Sequence, residues 1–119
     1  WGQRKTYIRE LEELNINVLD LIMGISLRVE NTSENHYYGN IRRIGRALAE
    51  TKKRDEVEHQ LLSIIENKEL DLYNRILGFY IMDNYLYNQT EENEKVRIKS
   101  KLKESIKSLP KELNEQIKI

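Results

Sequence analysis

The chain has 119 residues, which suffice for one domain with a single core and leave no room for a second full domain. Its 20 basic and 20 acidic side chains give zero net charge, so overall charge does not draw it to nucleic acid or to an anionic membrane. Cysteine is absent, which excludes disulfides and thiolate metal sites and fits a reducing, cytoplasmic compartment. No apolar stretch has the length of a membrane span.

Proline occurs once, at Pro110, so nearly the whole chain is free to form helix. The first predicted helix runs from about Arg4 to Val29, where apolar residues recur at steps of three and four. A polar break at 31–35 follows, with Ser33 as the predicted N-cap of the second helix. That helix has the clearest amphipathic pattern, and its predicted buried face holds Tyr37, Ile41, Ile44 and Leu48.

Asp55 is predicted to begin the third helix, because Asp55 and Glu58 have the spacing of a capping box. Its predicted buried face holds Val57, Leu61, Ile64 and Ile65. A turn at 67–69 precedes the fourth helix, whose apolar pattern runs from Leu70 to Tyr87.

Thr90 is the predicted N-cap of the last long helix, which Pro110 ends, and 111–119 is expected to form at most a short helix. Its predicted apolar side holds Val96, Ile98, Leu102, Ile106 and Leu109. Five helices with connections of roughly two to six residues predict an all-α fold, a five-helix bundle or a short array of antiparallel helical hairpins. We expect 1–119 to be a single helical domain, and the start at Trp1 rather than Met suggests the C-terminal part of a longer protein.

Tyrosine is unusually frequent, with seven tyrosines against one phenylalanine. In the fourth predicted helix, Tyr80, Asn84 and Tyr87 fall on one stripe with Tyr73 nearby. Tyrosine combines a large apolar body with a polar tip, which suits half-buried surfaces that bind a protein or peptide. The stripe therefore predicts a partner-binding groove, occupied by another protein or a second copy of the chain, with packing between helices as the alternative.

A catalytic alternative rests on Arg54 and His59. Their R-x-x-x-x-H spacing resembles the motif of the HEPN family of all-helical ribonucleases. The resemblance implies that the arginine stabilises phosphate charge and the histidine acts in acid-base catalysis without metal. Glu56 and His59 also have the E-x-x-H spacing of a di-iron site, but the second copy that such a site needs is missing, so we expect neither metal nor cofactor.

Six cations and one acid lie between positions 42 and 54. Such a run could contact a phosphate backbone, which makes nucleic acid a second alternative partner. The competing interpretation is a solvated helix face followed by a basic helix end that suits the helix dipole. The cations are Arg42, Arg43, Arg46, Lys52, Lys53 and Arg54.

Residues 76–110 resemble a degenerate tetratricopeptide hairpin, as in the C-terminal domains of peptide-sensing bacterial and phage regulators. The residues that carry the resemblance are Leu77-Gly78 in the first helix and Leu102, Ser105, Leu109 and Pro110 in the second. Together these features predict a noncatalytic helical module that binds a protein or peptide, and the resemblance implies the regulatory domain of such a regulator.

Overall fold

The computed structural model describes residues 8–17 and 34–117, and all regular structure in them is helical. The predicted all-α fold is confirmed. A short 3₁₀ turn, Ile106–Ser108, lies between the last two helices. The helices are α1 (Ile8–Glu13), α2 (Glu34–Leu48), α3 (Arg54–Glu66), α4 (Leu72–Tyr87), α5 (Glu92–Ser105) and α6 (Lys111–Gln116).

The predicted first helix ends earlier than its apolar pattern suggests. Asn15 adopts a left-handed backbone conformation with φ of 61°. The amides of Asn15 and Ile16 donate back to the carbonyls of Glu12 and Leu11, at 3.0 and 3.1 Å, which is a Schellman helix end. The prediction of a single helix from Arg4 to Val29 is therefore wrong at Asn15, because asparagine tolerates the left-handed conformation that ends α1. Residues 18–33, the rest of that prediction, lie outside the described residues.

The second helix agrees with its prediction over the residues whose side chains are described. Ile41 and Leu48 are buried, and Ile44 packs against them at the edge of the core. The opposite face is polar, because Arg42, Arg43 and Arg46 of α2 are exposed. Ser33 and the side chain of Tyr37 lie outside the described part of the chain.

The start of α3 differs from the predicted capping box. The helix begins at Arg54, and Lys53 occupies the N-cap without a side-chain hydrogen bond. The backbone around this start is held by Thr51, whose hydroxyl accepts from the Lys53 amide at 2.9 Å and donates to Glu12 of α1 at 2.7 Å. Glu58 is fully buried and bonds to other helices. The capping box is therefore wrong, because long-range partners take the carboxylate that it requires.

The fourth and fifth helices lie close to their predicted ranges, but some of their end and core residues differ. Asp71 caps α4 by accepting from the Asn74 amide at 2.9 Å. Thr90 is not the cap of α5, because the helix begins one residue later and Glu91 takes that place. Val96, predicted in the core, is 66% exposed, since α5 turns its Ile98 side inward. Pro110 does not end α5 as predicted, because α5 ends at Ser105 before the 3₁₀ turn, and Pro110 is instead the N-cap of α6.

The central helix of the described structure is α4, which packs against α2, α3 and α5. Its apolar residues are not confined to one face, because Leu77, Ile81, Met82 and Tyr85 are buried on different sides of the helix. Two glycines permit close contact between helices: Gly45 of α2 lies against α4, and Gly78 of α4 lies against α3. α4 is therefore enclosed by neighbours except along one outer face.

Candidate functional site

Three tyrosines lie along the outer face of α4. Successive members are two turns apart, so an ideal helix places them on one stripe that drifts by about 20° per step. Tyr73, Tyr80 and Tyr87 are 57%, 37% and 83% exposed, and they are referred to below as the tyrosine row. Tyr85, which belongs to the same aromatic-rich segment, is fully buried. The structure thus separates a core tyrosine from a surface row.

Asn84 lies between the tyrosine row and α2. Its side-chain amide donates to the Tyr80 carbonyl at 2.9 Å, and the residue is half-buried. Its Cβ faces Gly45, where an added methyl carbon would be only 2.4 Å away. The Tyr80 ring meets Phe79 edge-on, with centroids 5.4 Å apart. The predicted binding residues therefore lie together on α4, and Asn84 lies where α4 contacts α2.

A groove between α4 and α5 continues from the C-terminal end of the tyrosine row. Tyr87 and Val96 are its most exposed apolar residues. Burial raises the pKa of Asp83, which lies in its wall. The sequence pattern could not predict this groove, because it assigned Val96 to the core. The other lining residues are Leu86, Glu92, Lys95 and Lys99.

Arg54 and His59, the alternative catalytic pair, have different environments. Arg54 lies over the Tyr85 ring, 5.4 Å from its centroid, and donates to Gln89 at 2.6 Å. His59 is exposed on the same helix. Five residues of helix rotation separate them by about 140° around the axis, so the two side chains leave α3 in different directions. Their catalytic role stays a prediction, and no contact between them supports it in the described residues.

A buried carboxylate, Glu58, joins three helices. It accepts from the Tyr85 hydroxyl of α4 at 2.7 Å and from Arg97 of α5 at 2.6 and 3.0 Å. Lys101 lies 3.5 Å away, and Arg97 also pairs with Glu94. Burial by itself raises the pKa of Glu58, but the hydrogen bonds and positive charges outweigh it and lower that pKa. These contacts join side chains of α3, α4 and α5, so the cluster contributes to the packing of the three helices.

The cations of the basic run are spread over two places. Arg42, Arg43 and Arg46 are exposed on α2, while Lys52 and Lys53 are exposed in the connection to α3. Arg54 belongs to the Glu58 cluster, because its guanidinium lies 3.5 Å from the carboxylate of Glu94. Near Arg46, the surface cleft that reaches Arg54 also contains Glu50, Glu91 and Glu94. Acidic side chains therefore interrupt the basic surface, and its contact with nucleic acid stays a prediction.

Metal and membrane candidates give no further site. Within residues 8–17 and 34–117, no group of three or more histidine or acidic side chains could hold a metal ion. In the same part of the chain, no helix is both long and apolar enough to cross a bilayer.

One protein-family model matches this chain. The model of the Importin-beta N-terminal domain matches residues 45–119, a span that contains the tyrosine row, the groove and the Glu58 cluster. Comparisons with curated proteins and with solved structures give no match.

The predicted resemblance to a tetratricopeptide hairpin of bacterial and phage regulators is wrong, because the matching model is a HEAT-like helical domain. The residues that suggested the hairpin have general packing roles. Gly78 makes room for Ile64 of α3, Ser105 is buried at the end of α5, and Pro110 precedes α6. Small residues at helix contacts and prolines at helix starts serve many closely packed helical arrays, so their spacing does not separate the families.

Proposed function

Because the chain belongs to the Importin-beta N-terminal domain family, we propose that it is a noncatalytic helical module that binds protein partners through the tyrosine row. The family supports a role in protein interaction, and the compact helical array supports a surface role rather than a buried reaction centre. The choice of the tyrosine row as the binding surface rests on the exposure of its side chains and not on the family match.

The observation that carries the proposal is the exposure of large aromatic rings on an otherwise enclosed helix. Tyr73 and Tyr87 are 57% and 83% exposed, although α4 is surrounded by α2, α3 and α5. Aromatic residues are enriched at the centres of protein interfaces, where they lose little conformational entropy relative to the area that they bury. A rigid, central helix holds these rings in place before any partner arrives, which lowers the cost of binding.

The family also supports a choice of first partners to test. The Importin-beta N-terminal domain binds Ran-GTP and protein cargo. We propose the same classes of partner for this chain, within transport between nucleus and cytoplasm.

Replacing Tyr80 and Tyr87 by alanine should weaken capture of a protein partner about tenfold or more, because central interface tyrosines are common hot spots. The immobilised chain would be incubated with GTP-loaded Ran and, separately, with nuclease-treated lysate of the source cells. Bound proteins would be quantified by mass spectrometry. Circular dichroism should show an unchanged helical spectrum, since both side chains are at least partly exposed.

Leu70→Ala is the matched control, because Leu70 is 37% exposed, like Tyr80, but lies in the turn before α4. It should leave capture unchanged. Equal capture by wild type and the double tyrosine variant, or no protein captured by wild type, would contradict the proposal.

A further inference from the structure

Three lysines follow one another at steps of one helical turn on α5. Lys95, Lys99 and Lys103 lie four residues apart, which places them along one side of the helix. They are referred to below as the lysine row. Lys99 and Lys103 are exposed, and Lys95 is partly exposed. The inward side of α5 is separate, because Ile98 and Leu102 are buried.

The lysine row has no ionic partners of its own within residues 8–17 and 34–117. The ion pairs of α5 there involve other basic residues, Arg97 and Lys101, which lie against the buried Glu58. Glu104 lies next to Lys103 in the sequence, but it forms its ion pair with Lys107, at 2.9 Å. The row therefore leaves positive charge available to a ligand along about two turns of helix.

The lysine row begins in the groove between α4 and α5. Lys95 and Lys99 line that groove together with Tyr87 and Val96. The two apolar residues are 83% and 66% exposed, which leaves a small apolar surface directly beside the positive charges. Asp83 and Glu92 line the same groove, while the lysine row continues away from it along α5.

We propose that this surface binds an acidic segment of a protein partner, with an apolar side chain between Tyr87 and Val96 and carboxylates along Lys99 and Lys103. The inference rests on the proposed function and specifies the chemistry of its partner. A phosphate backbone fits less well, because it has negative charge throughout and would meet Asp83 and Glu92 in the groove. A segment with one apolar anchor brings no charge to that place.

The Lys99→Glu/Lys103→Glu variant tests this proposal. The probe is a fluorescein-labelled peptide with a leucine and a phenylalanine followed by a run of glutamates. Fluorescence anisotropy should show binding to the wild-type chain that weakens as salt rises, because exposed charges are screened. The double variant should bind about tenfold more weakly, since attractive pairs are replaced by repulsive ones. Val96→Ser should also weaken binding severalfold through the loss of the apolar contact.

The control variant is Lys52→Glu/Lys68→Glu, which changes the net charge equally at exposed positions outside the lysine row. It should bind the peptide nearly as tightly as wild type does. A control peptide with glutamines instead of glutamates should not bind measurably.

Four results would overturn the assignment. The first is that the acidic peptide does not bind, and the second is that Lys99→Glu/Lys103→Glu and Lys52→Glu/Lys68→Glu lose the same peptide affinity. The third is that oligothymidylate binds as tightly as the peptide and that its binding depends on the lysine row. The fourth is that the wild-type chain is a dimer that dissociates in the Lys99→Glu/Lys103→Glu variant. If the acidic peptide does not bind but protein capture still depends on Tyr80 and Tyr87, only the proposal of an acidic segment is overturned. Loss of that dependence would overturn both.

Discussion

Arg97→Met should lower the free energy of unfolding by about 2 kcal/mol at pH 7. Removing one partner of a buried ion pair costs about 3–5 kcal/mol, and the 34% exposure of the Arg97 side chain reduces that figure. Glu58 would retain the Tyr85 hydroxyl and the more distant Lys101. The cost arises because its carboxylate, with 1% exposure, would lose its two shortest charged hydrogen bonds.

The loss should depend on pH in a defined direction. The folded structure lowers the pKa of Glu58, so its stabilising contribution is fully present above the unfolded pKa of about 4.3 and is lost as pH falls through the folded value. Arg97→Met should therefore differ most from wild type near neutral pH. The difference should shrink in acid, where Glu58 is protonated in both proteins.

Urea unfolding followed by circular dichroism, at neutral pH and at a series of acidic pH values down to about 2, measures this difference. Arg42→Met is the matched control, because Arg42 is exposed on α2 and contributes to no ion pair among the described residues. It should change stability by less than about 0.5 kcal/mol. A similar loss in both variants, or a loss in Arg97→Met that does not change with pH, would show that the Glu58 cluster does not stabilise the fold.

Gly45→Ala should also destabilise the fold by about 2 kcal/mol, although alanine is the better helix former by about 1 kcal/mol. The new Cβ would lie 2.4 Å from the Asn84 Cβ and 2.9 Å from two backbone atoms of α4. Backbone atoms cannot rotate away as a side chain can. The two helices would have to separate, which would reduce contact between the buried residues of α2 and α4.

Gly78→Ala is the comparison for this effect. Its added Cβ would meet the Cγ2 methyl of Ile64 at 2.8 Å, and a side-chain methyl can move. We expect a loss below about 1 kcal/mol after the gain in helix propensity. Thermal unfolding of both variants measures the two costs. A Gly45→Ala protein that is as stable as wild type would contradict the close contact of α2 and α4.

Local patterns predicted the helices well because the apolar residues repeat with the helical period. Ile41 and Leu48 of α2 are buried as predicted, and so are Ile98 and Leu102 of α5, although Val96 is not. The same patterns failed at Asn15, where a single backbone conformation ends a helix while apolar residues continue beyond it. They also failed at Glu58, because its Arg97 partner lies 39 positions away and no local spacing reveals it.

The candidate site was predicted only in part. A step of seven residues in an aromatic-rich helix was sufficient to bring Tyr73, Tyr80 and Tyr87 together. The groove was not predictable, because the apolar residue Val96 is turned outward by the packing of Ile98 and Leu102. A four-residue lysine repeat was visible in the sequence, but its lack of ionic partners among residues 8–17 and 34–117 depends on where α5 places its other charges.

Site-specific photocrosslinking tests the central claim, that the tyrosine row is a protein-binding surface. The photoreactive amino acid p-benzoylphenylalanine would replace Tyr87 in one sample and Leu70 in another, and each would be irradiated in lysate of the source cells. We predict that position 87 crosslinks to a distinct protein, that excess unlabelled wild-type chain competes for it, and that position 70 does not. Crosslinks to nucleic acid, the same proteins at both positions, or no competed protein at position 87 would contradict the claim.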